Sequence, residues 1–236
     1  MFRFRYYPPI LGYHKIGTFK RDHVPTVSPE AFERQLAYLS RRKFQVVGVE
    51  EIVESLQRGT PWPRRAVAIT FDDGYEETST IAWPILKRFG FPATVFITTK
   101  DVGLPGFMTW DQVQELARDG MTIGSHTLHH SYLPLISTDR LPEELVESKR
   151  VIEAQLSRPV QFISYPIGGF TEDAQRIVEA AGYRAAFTTN RASFQNGVDR
   201  FALRRVKITE RDRSPWLFWA KLSGYYDAFR QLKPPG

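Results

Sequence analysis

Ala66-Val67-Ala68-Ile69-Thr70-Phe71-Asp72-Asp73-Gly74 reads as a buried strand that runs out into two carboxylates and a glycine. Adjacent carboxylates at the mouth of such a strand raise each other's pKa by repulsion, and a divalent cation reverses that logic by keeping both ionised. Neighbouring strand residues point to opposite faces, so Asp72 and Asp73 reach one site only if the strand breaks there; Gly74 permits the break. A second apolar run, Met121-Thr122-Ile123-Gly124, ends in Ser125-His126-Thr127-Leu128-His129-His130. The two run-ends together offer one carboxylate and two imidazoles for a metal, with a spare carboxylate beside them. That is the inventory of a metal-assisted hydrolase.

Outward from these runs, short apolar strands alternate with amphipathic helices. Strands are expected at Ile10 to Tyr13, Phe44 to Val47, Ala66 to Phe71, Ala93 to Ile97, Met121 to Ser125, Gln161 to Ser164, Arg184 to Thr188 and Ala202 to Ile208. Between them fall helices: one capped by Ser28-Pro29-Glu30 and running to about Arg42, then Val49 to Gln57, Glu76 to Phe89, Thr109 to Arg118, Thr138 to Leu156, and Thr171 to Ala181 ended by Gly182. A last helix covers Pro215 to Leu232. The alternation predicts an α/β protein with a parallel sheet wrapped by helices, closed or nearly closed into a barrel. The candidate chemical residues (Tyr13-His14, Asp72-Asp73, His126 and Tyr165-Pro166) all follow strands at their C-terminal ends, the face on which a barrel builds its active site.

With 236 residues, 42% of them hydrophobic, and no convincing internal boundary, the chain reads as one domain, residues 1–236, with 214–232 a helix packed on or beside it. No stretch is apolar and long enough to cross a bilayer, and the N-terminal residues have no signal-peptide core. The expectation is a cytoplasmic or membrane-peripheral protein, or an extracytoplasmic one whose leader has been removed. The net charge of +6 comes from scattered Arg and Lys, with no basic helix or RNA-binding aromatic signature, so no nucleic-acid partner is expected. The aromatic, basic segment Pro215 to Arg230 would suit a membrane surface, although such helices more often pack on the exterior of a barrel. The chain has no cysteine, so any metal binds through nitrogen and oxygen.

Asp73 is assigned to the metal with His126 and His130, leaving an open position for water and substrate, and Asp72 is left free as general base. His129 breaks the spacing and is read as a bystander. This donor set suits zinc, with cobalt, nickel, manganese or iron as alternatives.

Thr70-Phe71-Asp72-Asp73-Gly74 and His126-Thr127-Leu128-His129-His130 resemble the first and second motifs of the polysaccharide deacetylases of the NodB-homology type, the family four carbohydrate esterases. The resemblance runs from about Ile10 to Ile208. It implies a distorted barrel that hydrolyses an N-acetyl group from an amino sugar, with Asp72 as base and Asp73, His126 and His130 around the metal. Two positions depart from the family's pattern. Its third motif usually starts with an arginine that orients the base, where this chain has Ser164-Tyr165-Pro166-Ile167-Gly168. Its fifth usually reads Leu-x-His, the histidine acting as general acid, where this chain has Leu203-Arg204-Arg205.

Both losses have a candidate repair. Leu203 and Arg205 share a strand face, so an inward-facing Arg205 would pair with Asp72. Tyr13-His14 resembles the start of the poly-N-acetylglucosamine deacetylase branch, which makes His14 the candidate acid. The backbone N–H of Ile167, at the matching third-motif position, is the candidate oxyanion donor. Tyr75, Phe107, Trp110, Tyr165 and Phe170 lie near the strand ends as candidate sugar-binding faces. The expected substrate is an N-acetylated glycan. The alternatives are a small or lipid-linked amino sugar, or a glycan-binding protein with a degraded active site.

Overall fold

The structure, a computed structural model, describes residues 7–18, 24–190 and 198–223. Eight parallel strands form a nearly closed barrel. They are β1 (Ile10–Tyr13), β5 (Ala66–Phe71), β6 (Thr94–Ile97), β7 (Thr122–Ser125), β8 (Phe162–Ser164), β9 (Ala185–Thr188), β10 (Leu203–Arg204) and β11 (Val206–Lys207). Two short strands, β2 (Lys15–Ile16) and β3 (Thr26–Val27), form a separate parallel pair that sequence reading did not anticipate, and β4 (Gln45–Val46) adds to the start of β5.

The order β10-β9-β8-β7-β6-β5-β1-β11 puts two strands adjacent in sequence at opposite ends of the sheet. What reads as one strand from Ala202 to Ile208 is divided at Arg205. Arg205 N donates to Thr188 O on the β9 side, whereas Val206 and Lys207 pair with β1 and Ile208 N donates to Gly12 O. The barrel therefore closes through this one segment, with Arg205 at the seam.

Side-chain alternation divides the core in two. Ile10, Ala66, Ala68, Phe96, Phe162, Ala185, Phe187 and Leu203 cluster inside the barrel, with Phe96 and Phe162 packed around Phe187. Gly124 belongs to this fit, because a Cβ there would stand 2.5 Å from the Phe96 ring. Leu11, Val67, Ile69, Phe71, Val95, Ile97 and Ile163 face outward into the larger core under the helices. On β5 the inward parity of Ala66 and Ala68 continues through Thr70 to Asp72. The strand pattern itself thus aims the first carboxylate at the axis.

The helices follow expectation at α1 (Pro29–Arg41), α2 (Val49–Arg58), α4 (Trp110–Arg118) and α6 (Glu172–Ala180), whereas the helix expected over Glu76 to Phe89 passes through a π turn at Thr78–Ala82 before its α-helical part, α3 (Trp83–Phe89). The single helix expected over Thr138 to Leu156 is a correction. It begins as a 3-10 turn at Thr138–Arg140 and widens to a π turn at Glu143–Glu147, so only Ser148–Leu156 is α-helical (α5). Pro142 lies between the first two pieces with α-helical φ and ψ of −59° and −36°, a first-turn place where its missing N–H is tolerated. The last helix, α7 (Pro215–Leu222), packs on the barrel exterior through buried Phe218 and Leu222 and leaves Trp216, Leu217 and Trp219 exposed. Its expected continuation to Leu232, and the aromatic segment beyond Ser223, lie outside the described residues. No helix among the described residues is long and apolar enough to cross a membrane.

Candidate active site

A cleft of about 350 Å³ opens at the C-terminal ends of the strands, lined by His14, Asp72, Asp73, Tyr75, His126, His130, Tyr165, Ile167, Arg205 and Lys207 among others. A larger hollow of about 770 Å³ lies beside Trp62 near the start of β5, but its lining among the described residues holds no carboxylate or imidazole.

The strand break at the first motif is visible in the backbone. Asp72 N still donates to Tyr13 O on β1, whereas Asp73 and Gly74 have φ of 72° and 84°. Left-handed backbone costs a non-glycine residue about 1–2 kcal/mol. At Asp73 it turns the second carboxylate toward the side the first already faces. Gly74 cannot be replaced freely, because a Cβ would stand 3.1 Å from Ile97 Cγ2.

Arg205 holds Asp72 from the seam. Its Nη1 donates to Asp72 Oδ1 at 2.7 Å and its Nη2 to Asp72 Oδ2 at 2.6 Å, a two-pronged pair with side chains 1% and 4% exposed. The guanidinium also donates to Thr70 Oγ1 and Ser164 Oγ. Burial pushes the Asp72 carboxyl up, but Arg205, with help from His126 and His14, outweighs it and sets the pKa below the usual value. Asp72 is thus a buried carboxylate whose charged form the guanidinium favours.

Asp73, His126 and His130 each bring one donor atom to a common point, all within 4.8 Å of one another. His126 Nε2 lies 3.4 Å and His130 Nε2 3.3 Å from Asp73 Oδ1. His126 Nδ1 is 2.7 Å from Ser164 O, a carbonyl that only accepts, so that nitrogen carries the proton and Nε2 presents its lone pair. Asp73 Oδ1 is buried and receives no hydrogen bond of acceptable geometry from the described residues. A buried anionic oxygen without a donor, facing an imidazole lone pair, fits a divalent cation better than it fits a hydrogen-bond network.

The other anticipated residues divide. His14 lines the cleft; its Nδ1 is buried without a partner among the described residues, and burial lowers its pKa while Asp72 and Asp73 pull the other way. Ile167 sits on the rim, 71% exposed, with φ of 58° in the turn Pro166–Gly168. That turn is pinned by Thr188 Oγ1 and Thr189 Oγ1, which donate to Gly168 O and Ile167 O. Tyr75 lines the cleft with its ring stacked on Phe107. Two expectations need correction. Trp110 opens α4 and packs half-buried against the outer core, away from the cleft lining. Tyr165 borders the cleft but is 1% exposed; its ring stacks on Phe170 and its hydroxyl donates to Phe201 O, so it offers no open face to a sugar.

His129 stays outside the cluster of donor atoms, as expected, but it is not idle: its Nδ1 lies 2.9 Å from Glu144 Oε1. Glu144 was missed in the sequence because nothing in its neighbourhood marks one helical glutamate among several as buried.

Residues 59–186 match the family model for polysaccharide deacetylase. The chain belongs to the polysaccharide deacetylase family. Among relatives of this deacetylase, YxkH of Bacillus subtilis, whose own assignment to the family is provisional, is 29% identical over 222 residues, covering 94% of this chain and 77% of that protein. The poly-beta-1,6-N-acetyl-D-glucosamine N-deacetylase of Staphylococcus aureus is 26% identical over 199 residues, covering 78% of this chain and 68% of that one. Among solved structures, the deacetylase PplD of Streptococcus pyogenes, in complex with acetate, superposes with a TM-score of 0.82 at 26% identity, over 92% of this chain and 98% of that one. IcaB of Ammonifex degensii does so with 0.78 at 25%, over 90% and 96%. The barrel of this deacetylase is the NodB-type (β/α) barrel of these neighbours.

Proposed function

We propose that this polysaccharide deacetylase removes the N-acetyl group from N-acetylated amino sugars in a glycan chain, using a divalent metal held by Asp73, His126 and His130. The observation that carries the reading is the pairing of functions in one cleft: a carboxylate kept ionised by Arg205 beside a converging Asp-His-His donor set. A divalent ion at that set supplies Lewis acidity for the acetamide carbonyl and its water, and zinc suits these donors best.

The protein's own groups do the rest. Asp72 accepts a proton from the attacking water, and the fork of Arg205 keeps it ionised and aimed. The Ile167 N–H, presented by the pinned turn at the rim, donates to the oxygen that becomes negative as the carbonyl is attacked. His14 passes a proton to the departing nitrogen; burial makes its imidazolium the stronger acid for that step. The C–N amide bond breaks, and acetate and a free amine leave. The relative named for poly-beta-1,6-N-acetyl-D-glucosamine supports a polymer of N-acetylglucosamine as the substrate class.

Acetate release from N-acetylglucosamine oligomers tests this directly, using chelator-stripped protein with and without zinc or cobalt. The expected result is metal-dependent release that Asp72→Asn lowers by about 10²- to 10⁴-fold while metal stays bound. Near-normal turnover by Asp72→Asn would remove the base assignment. Stoichiometric metal without acetate release would overturn the substrate class.

A further inference from the structure

We infer that Glu144 is a positioning residue that shapes the loop between His126 and His130 and thereby sets how tightly the Asp73–His126–His130 site holds a divalent metal. The inference rests on the metal reading of that site.

Glu144 lies in the π turn Glu143–Glu147 and is 2% exposed. Its Oε2 accepts from Leu128 N at 3.1 Å and His129 N at 3.0 Å. Its Oε1 lies 2.9 Å from His129 Nδ1 and accepts from Ser131 Oγ at 2.9 Å. The backbone carbonyl of Glu144 also accepts from Leu128 N. One buried side chain thus gathers four donors from a four-residue stretch that spans one of the two histidine ligands.

The loop needs such support. Thr127 and His130 have φ of 67° and 58°, left-handed values that only a well-determined surrounding sustains at residues with a Cβ. Its four consecutive amides are all satisfied: Thr127 N by Ser125 Oγ, Leu128 N and His129 N by Glu144, and His130 N by Thr127 Oγ1. The two bonds at the ends are local, within the loop itself. The two in the middle reach to another element, so Glu144 ties the middle of the loop directly to the helical layer, beside the link that Ser125 Oγ makes to Ser148 Oγ at the loop's start. A buried carboxylate carries a desolvation cost that an apolar side chain does not, and the four donors converging on it offset that cost. Such a carboxylate is a good choice for fixing one conformation, and outer groups that orient metal ligands act in this way.

The test is cobalt binding to the chelator-stripped full chain, read by competition with a chromophoric chelator and by the visible absorption of the bound ion, with a thermal melt alongside. Glu144→Ala is expected to weaken cobalt binding by about ten- to a hundredfold and to change the cobalt spectrum. Glu144→Gln keeps an oxygen for the two amides and loses the other acceptor; it is expected to fall between that variant and wild type. Ser131→Ala, which deletes one donor at the end of the loop, is expected to give a smaller loss in the same direction. Wild-type affinity and spectrum in a folded Glu144→Ala overturn the inference. If that variant does not fold, unchanged affinity in both Glu144→Gln and Ser131→Ala overturns it. Asp73→Ala is the control: cobalt binding as tight as wild type would show that the metal reading itself has failed, and the inference with it.

Discussion

Replacing Arg205 with methionine removes the guanidinium from a pair whose side chains are 1% and 4% exposed, and leaves Asp72 buried with neither prong of its partner. Breaking one side of a buried pair costs about 3–5 kcal/mol, chiefly through the charge left behind. The pH dependence identifies that cause. In the wild type the Asp72 pKa lies below its unfolded value, so the pair's contribution is present above the unfolded pKa and is lost as the pH falls through the folded one. In Arg205→Met, burial, the largest influence on Asp72, is no longer opposed by the guanidinium, and the folded pKa rises above the unfolded one. The penalty is then greatest at neutral pH and fades as the carboxyl protonates. Urea unfolding of metal-free wild type and variant between pH 7 and pH 4 should therefore show a difference of about 3–5 kcal/mol that shrinks toward acid. Asp72→Asn combined with Arg205→Met should cost less than the two single changes added together, by about 0.5–3 kcal/mol. A difference that is flat with pH, or under about 1 kcal/mol, would refute the reasoning, since an exposed pair is worth no more than that.

His14→Ala should lower deacetylation of an N-acetyl sugar by about 10²- to 10⁴-fold, and should slow an activated acetyl ester far less, because an aryloxide leaves without a proton. Equal losses on both substrates would remove the acid role. Gly124→Ala forces a methyl against the Phe96 ring inside the barrel and should cost about 1–3 kcal/mol in urea unfolding; Phe96→Leu in the same chain should recover part of it.

The barrel was legible because strand and helix periods alternate without interruption and because the chemical residues all follow strands. Asp72, Asp73, His126 and His130 were legible for a related reason: clustered carboxylates and imidazoles at the ends of apolar runs have few inexpensive explanations. The rest depended on geometry that local pattern does not carry. The period-2 run from Ala202 to Ile208 gave no sign that Arg205 breaks it, because its two halves have different neighbours, β9 and β1, that only closure brings together. Tyr165 and Trp110 were placed near the right strand ends, but nearness in sequence does not say whether a ring faces the cleft or the core. Glu144 stood in a run of helical charges, and only the folded loop singles it out.

The two departures from the family's pattern are one rearrangement. Where the third motif usually starts with arginine, this chain has Ser164, and Ser164 Oγ accepts from Arg205 Nη2 at 2.7 Å. Against the pattern that the resemblance implies, the guanidinium here comes from the seam rather than from β8, and the small hydroxyl at position 164 accepts from it. Ser164→Arg in the present chain would bring two guanidinium groups to one buried carboxylate, and should cost about 3–5 kcal/mol through the unpaired charge. Adding Arg205→His restores both the arginine and the Leu-x-His spelling, removes the surplus cation, and should recover most of that stability and part of the acetate release. The double-mutant cycle separates this from mere tolerance: coupling between positions 164 and 205 should be favourable and among the larger values seen for contacting residues, about 2–3 kcal/mol. Additive losses would mean that Ser164 is only a neighbour, and that Arg205 orients Asp72 without reference to it.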